Sequence, residues 1–402
     1  MSPSTTAAAP APVADWVDVA AMQHDPYETY DRLRETGPLV RVPAMNRYLA
    51  TTFEGCRAIE ADQVTFSASV GGAGATMARA LGATPMLRKD DPGHAAERRP
   101  VNPCLRPKRI RESWVPLFER NAQTYLDELV AKGPGAADLN LDYAAPLAAQ
   151  NLVDMLGLRG VGVGAEDMRR WSHAFIAGIG NLQDDAEIWA RCDTAQAEVD
   201  ACLDELLPRL RSAPDTSLTS ALAASGLSDE AVRANVKLTI SGGMNEPQHM
   251  VTNVVWALSR HPQQRGRVLA DPALWPSVFD EAVRWLSPIG MYPRQTTMDT
   301  VLEGVELPAG AILGVVVGAA NRDPAAFDHP EAFDIARPRQ PHLGFGSGVH
   351  LCAGHWAARI SIGEIGIPLL YDRLPDLRTD ERRSEEWFGW VFRGLTHLPV
   401  TW

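Results

Sequence analysis

The sequence predicts a mainly α-helical fold, a single helix-rich domain with a small β-rich subdomain. Three observations carry that prediction. Apolar residues recur at helical spacing over most of the first 286 positions. After Pro288 the pattern changes to short alternating runs broken by turns. No linker is long enough to separate two folding units, so residues 15–402 read as one domain. The composition, 45% apolar and 22% charged, excludes wholesale disorder and coiled-coil or collagen-like repetition. A chain of 402 residues can build a core large enough to bury a sizeable cofactor.

In chain order, residues 1–14 are mostly Ala, Pro, Ser and Thr and lack the parts of a signal peptide, so they are expected to form a disordered leader. Asp25-Pro26 opens a helix over 25–35 that stops before Gly37-Pro38. Strands are expected at 39–42 and 48–52, and helices at 112–132, 139–158, 165–178 and 186–210. The Gly-rich stretch 69–76 reads as a loop and lacks the spacing of a phosphate cradle; Gly160, Gly162 and Gly164 are an equally weak signal. A long helix starts near Ser228 and runs to about Arg260, followed by one at 275–286. Short strands at 300–307 and 312–317 precede a Pro-rich loop, a helix over 354–374 and an aromatic, strand-like tail.

Charge and cysteine usage narrow the function. The net charge of −12 argues against nucleic acid as the main partner. Five cysteines, none in a C-x-x-C pair, fit a reducing, cytoplasmic setting better than a disulfide framework. No apolar run is long enough for a transmembrane helix, so no membrane partner is expected.

The strongest motif is Phe345-Gly346-Ser347-Gly348-Val349-His350-Leu351-Cys352-Ala353-Gly354. Glycines around one cysteine let backbone approach a flat ligand and leave amides free to stabilise a thiolate. A thiolate so held suits the axial position of haem iron; the plainer alternative is a Gly-rich turn with a buried free cysteine. The string resembles the haem-binding loop of the cytochrome P450 superfamily, and the resemblance spans roughly residues 25–402. Glu281 and Arg284 resemble its E-x-x-R pair, with Arg337 as the third partner. Asn321-Arg322-Asp323-Pro324, with Phe327 and Phe333-Asp334, resembles the segment before the cysteine loop. The resemblance implies haem b held by Cys352, with Phe345 and Gly243 against the macrocycle and His94, Arg98, Arg294 and His350 on its propionates. Glu281 and Arg284 are expected as a buried structural pair.

Within the long helix, Gly242-Gly243-Met244-Asn245-Glu246-Pro247 is costly in a helix interior, and Pro247 denies a donor to the Gly243 carbonyl. Either a kink with an open groove or a plain break between two helices follows. By the resemblance this groove holds dioxygen. Most members carry an acid followed by Thr there; here those positions hold Asn245 and Glu246. Glu246 is therefore the expected proton-handling group and Asn245 its orienting partner; the bland alternative is a salt bridge.

The tail Glu386-Trp387-Phe388-Gly389-Trp390-Val391-Phe392-Arg393-Gly394, with Asp25–Tyr30 and Pro341-His342-Leu343, resembles bacterial aromatic O-demethylases acting on guaiacol-type methoxyphenols. That resemblance implies a substrate pocket of Phe392, Ile289, Ile179, Phe175, Leu238 and Gly242, roomy enough for syringol or an alkylated guaiacol. It implies oxidative O-demethylation to a catechol-type product plus formaldehyde. No flavin, nicotinamide or iron–sulfur signature is present, so electrons are expected from a separate ferredoxin–flavin reductase, or hydrogen peroxide is the oxidant. Lys108, Arg109 and Arg111 either dock that partner or form an ordinary solvated helix start. The alternatives are a secondary-metabolite tailoring hydroxylase and, in a different class, a non-catalytic haem sensor or carrier.

Overall fold

A computed structural model describes residues 8–402. Long helices form the body: Val115–Lys132, Ala145–Leu156, Ala165–Ile179, Ala186–Ser212, Asp229–Gly242 and Asn245–Arg260. Each buries one apolar face. One core gathers around Trp114, Phe118, Trp171 and Phe175, and a second around Tyr143, Val254, Phe279 and Tyr371. Among the described residues no helix is long and apolar enough to cross a membrane.

The β-rich part is a five-stranded mixed sheet. Its order is Leu39–Val42, Arg47–Ala50, Ile312–Val315, Tyr292–Thr296, Phe66–Ser67. The first two strands form the expected hairpin, with Leu39 opposite Ala50. Arg47–Ala50 then runs parallel to Ile312–Val315, tying the N-terminal strands to the C-terminal half. Tyr292–Thr296 lies antiparallel beside it with Arg294 opposite Leu313, which fixes where that guanidinium emerges.

Four expectations are corrected. The expected leader is too long: Ala9–Pro10 pairs in parallel with Val305 and Glu306, Ala14 is fully buried, and its amide donates to the Arg41 carbonyl at 2.9 Å. Extended Pro-rich backbone still has carbonyls and amides to pair at a sheet edge. The remaining part of that leader lies outside the described residues. The stretch 69–76 is not a loop, because Gly71–Leu81 is a helix. Met77, Ala80 and Leu81 are buried in the first core, and that packing outweighs the glycine cost at its open N-terminal end. The helix expected over 112–132 is divided at Trp114 into Pro107–Ser113 and Val115–Lys132, with Pro116 in the first turn of the second piece, where no amide is required.

The long helix is also two helices, not one. Ser228 caps the first, accepting from the Ala231 amide at 3.2 Å. The ladder opens at Gly243-Met244 and resumes where the Gln248 amide donates to Met244. Pro247 therefore sits in the first turn of Asn245–Arg260, where its missing N–H costs little. The helix expected over 354–374 winds as His355–Ala358, a π-helical Arg359–Gly366 and Ile367–Arg373.

Candidate active site

The cysteine loop is held by backbone geometry that its glycines permit. Gly346 and Gly348 have φ of 67° and 62°. A Cβ on Gly348 would stand 2.3 Å from the Glu60 carbonyl oxygen, so the loop packs directly on the Phe53–Ala61 helix. The Cys352 amide donates to the Phe345 carbonyl at 2.8 Å, closing the loop. Phe345 lies under the Arg359 guanidinium, 4.5 Å from its ring centre.

Cys352 has accessible surface although protein surrounds it, so it faces an internal cleft rather than the exterior. Burial pushes its thiol up; the Gly354 amide and the guanidiniums of Arg98 and Arg359 pull it down, and Glu246 pushes it further up. The Glu246 carboxyl is therefore close enough for its charge to be felt at the sulfur. Glu246 Oε2 has no hydrogen-bond partner. Burial raises its pKa to about 7, against its own backbone amide and the Asn245 side chain. Glu246 makes no salt bridge among the described residues, and Asn245 is buried beside it.

A second cluster carries cationic and imidazole groups. His94 and His350 rings stand 4.2 Å apart, and the Nε2 of each is buried without a partner. Asp91 holds the other nitrogen of His94 at 3.2 Å. Burial first, then Arg294, His94 and Arg98, lower the His350 pKa to about 3, so His350 is neutral at physiological pH. Arg98 donates to the Leu351 carbonyl at 2.5 Å and to Asn102 at 2.7 Å, beside the cysteine loop. Arg294 is not free: its guanidinium lies 2.8 Å from the carboxylate of buried Glu60. These orphaned nitrogens next to a cysteine cleft fit a macrocycle bearing two carboxylates. Cys352 would hold its metal, and His94, Arg98, His350 and the outer face of Arg294 would hold its carboxylates.

The expected structural triad is present. Arg284 donates to both oxygens of Glu281 at 2.7 and 2.8 Å, and Arg337 reaches the same carboxylate at 3.2 Å. Arg284 also binds the carbonyls of Asn321, Pro330 and Ala332, which anchors the segment leading to the cysteine loop.

Of the expected pocket residues, Ile289 and Phe392 form an isolated antiparallel bridge, so the tail is pinned beside the end of helix Trp275–Leu286. Gly290 and Arg393 reinforce it by donating to Val391 and Pro288 at 2.9 and 2.8 Å. Leu238 and Gly242 sit with Gly243 on the last turn of Asp229–Gly242 and at its cap, all partly or fully accessible. Ile179 is half-buried at the end of its helix, and its carbonyl accepts from Thr76 at 3.0 Å. Phe175 is corrected: at 0% exposure it is packed in the first core and presents no surface to a ligand, because it lies with Met168, Trp171 and Gly178 on the buried face of its helix.

Three buried polar residues escaped sequence reasoning: Glu60, His249 and Arg88. Glu60 falls at i+4 from buried Cys56, a spacing that marks it as inward-facing. His249 follows Glu246 by one turn; it is buried with an orphaned Nδ1, and burial lowers it to about 4. Nothing in the local sequence distinguishes Arg88 from a surface arginine.

Residues 269–365 match the family model described as Cytochrome P450. The chain is 31% identical to the cytochrome P450 monooxygenase PikC of Streptomyces venezuelae, over 94% of this chain and 91% of that protein. It is 30% identical to the mycinamicin IV hydroxylase/epoxidase of Micromonospora griseorubida, over 93% of this chain and 94% of the other. Among solved structures, that of CalO2 superposes with a TM-score of 0.84 at 27% identity, covering 94% of this chain and 96% of that one.

Proposed function

The chain belongs to the cytochrome P450 family, and from that premise we propose that it carries out oxidative O-demethylation of a methoxylated phenol of the guaiacol or syringol type, releasing formaldehyde and a catechol-type product. Family membership makes it a haem-thiolate monooxygenase with Cys352 as axial ligand. Haem bound there supplies the activation of oxygen. The chain's own residues do the rest.

The observation that carries this reading is the Ile289–Phe392 bridge. It sets an accessible aromatic ring beside an aliphatic side chain, a wall suited to one substituted benzene ring. Leu238 and Gly242 supply a floor without polar side chains, and Ile179 takes less room than an aromatic residue would. Glu246 handles protons. With a pKa near 7 it is present as both acid and base at neutral pH, so it can take a proton and return it. Asn245 orients that carboxyl. Electrons arrive from a separate ferredoxin–flavin reductase in the cytoplasm, or hydrogen peroxide replaces both oxygen and electrons. The exposed side chains Val349, Leu351 and Trp356, with Lys108 and Arg109 nearby in sequence to Arg98, offer that reductase an apolar patch with a basic rim. Arg111 is already paired with Glu364 at 2.7 Å and contributes less.

The test is a binding screen of guaiacol, syringol and alkylated guaiacols by the blue shift of the haem band, followed by formaldehyde assay. Tight binding with one formaldehyde per product supports the reading. Binding of larger polycyclic or macrolide compounds, with hydroxylated products and no formaldehyde, overturns it in favour of a tailoring hydroxylase. The similarity to the mycinamicin hydroxylase favours that second reading.

A further inference from the structure

The buried lysine and arginine side chains of this protein each find an acid or carbonyl oxygen within the fold, with one exception. Among the described residues the buried lysines and arginines are Arg88, Lys237, Arg284, Arg294 and Arg393. Lys237 pairs with Asp200, Arg284 with Glu281, and Arg294 with Glu60. Arg393 donates to the carbonyls of His24 and Gly389. Arg88, only 8% exposed, makes no side-chain hydrogen bond and no ion pair with any described residue, and its Nε is buried without a partner. An isolated buried guanidinium costs several kcal/mol. A sequence that keeps one needs an anion that is not part of the chain.

The position of Arg88 says which side of the cleft that anion approaches. Arg88 ends the short turn Met86–Arg88, and the Met86 amide is held at 2.9 Å by Asn235 of helix Asp229–Gly242. Three residues on, Asp91 begins the segment that carries His94 and Arg98. Arg294 is near enough for its like charge to add to burial in lowering the Arg88 pKa to about 10. The nearby acids are engaged elsewhere: Glu60 with Arg294, Glu97 with Lys89 and Asn235, Asp91 with His94.

We propose that Arg88 is a carboxylate anchor of the active site, binding either a haem propionate or the carboxylate of an acidic aromatic substrate. The proposal rests on the haem-thiolate assignment and not on the methoxyphenol reading; a carboxylated substrate would revise the latter toward methoxybenzoates.

The test uses the ferric holoenzyme and its Arg88→Leu and Arg88→Lys variants. One readout is the rate of haem transfer to excess apomyoglobin. The other is the ratio of dissociation constants, from the haem-band shift, for 4-methoxybenzoate and its methyl ester. Loss of a charge-assisted contact is worth about tenfold or more. If the anion is a propionate, Arg88→Leu speeds haem transfer by that factor, Arg88→Lys restores most of it, and the ratio is unchanged. If the anion is a substrate carboxylate, haem transfer is unchanged and Arg88→Leu weakens the benzoate alone by that factor. Should Arg88→Leu not accumulate as holoenzyme, Arg88→Gln takes the same two measurements. Haem transfer and ratio both within about twofold of wild type overturn the proposal.

Discussion

Replacing Glu246 by Gln removes a proton site while nearly keeping shape. In the structure this carboxyl is buried, lacks a partner at Oε2, and is raised by burial to about 7. A solvent-exposed glutamate is almost wholly ionised at neutral pH and has no proton to give; at a pKa near 7 about half the molecules hold each form. Peroxide-driven turnover needs both roles, a base for the incoming oxygen and an acid for the departing one. Positioned acid–base catalysis contributes about 10²–10⁴-fold. Wild type is therefore expected to release formaldehyde from a methoxyphenol with hydrogen peroxide alone, its rate rising as pH climbs through about 7 and Glu246 ionises. Glu246→Gln should bind haem and substrate normally, lose about 10²-fold or more of that rate, and show no inflection near 7. Asn245→Ala should cost less and move the inflection to higher pH, since the Asn245 side chain favours the anion. Stability provides an independent sign check. The folded pKa lies above the unfolded one, so this carboxyl destabilises the fold increasingly from about pH 4.5 to 7. Glu246→Gln should then be more stable than wild type at pH 8, by up to about 3 kcal/mol, and equal at pH 4. Full peroxide activity in a properly loaded Glu246→Gln enzyme would refute the assignment.

Cys352→Ser should abolish the red-shifted carbon monoxide band of the reduced protein; a retained band would remove the thiolate from this loop. Ile179→Phe should weaken syringol binding relative to guaiacol by about 10–200-fold, the range for a methyl-sized loss of fit; equal effects on both, measured by haem-band titration, would take residue 179 out of the pocket. Glu281→Gln leaves Arg284 and Arg337 facing an uncharged partner in a buried site, so thermal unfolding should drop by about 3–5 kcal/mol; an unchanged midpoint would make the triad dispensable. Gly290→Ala places a Cβ 1.9 Å from the Trp390 carbonyl oxygen, which is backbone and cannot swing aside. The bridge at Ile289–Phe392 should open at a cost of about 1–3 kcal/mol, and methoxyphenol affinity should fall while the carbon monoxide band stays.

What the sequence made legible were features whose chemistry is local. The cysteine loop declares itself because three glycines, a histidine and a cysteine at fixed spacing have few other uses. Glu281 and Arg284 sit one helical turn apart, so their pairing is implied by adjacency alone. The helix over 71–81 was illegible for the opposite reason. Its glycines disfavour a helix locally, and the packing of Met77, Ala80 and Leu81 that decides the matter involves a helix about a hundred residues away. Phe175 shows the same limit: both faces of its helix carry apolar residues, and only the packed structure says which is turned to the core.

The anion side of the site joins these two kinds of legibility. His94, Arg98, Arg294 and His350 could be named from motif positions, yet none of those positions says how much charge the site holds. That depends on Glu60, which neutralises Arg294, and on Arg88, which nothing neutralises. With Glu60 in place, Arg294 alone offers a dicarboxylate little net charge, and the Nε2 atoms of His94 and His350 offer hydrogen-bonding capacity, with His350 neutral. Arg98 spends part of its donor set on Leu351 and Asn102. Those neutral partners leave the charge of Arg98 in place, and Arg88 adds a second cation without an acidic partner, the one least marked in the sequence. If Arg88 anchors a carboxylate as proposed, ligand retention depends on a turn held by Asn235 on the helix that ends at Gly242.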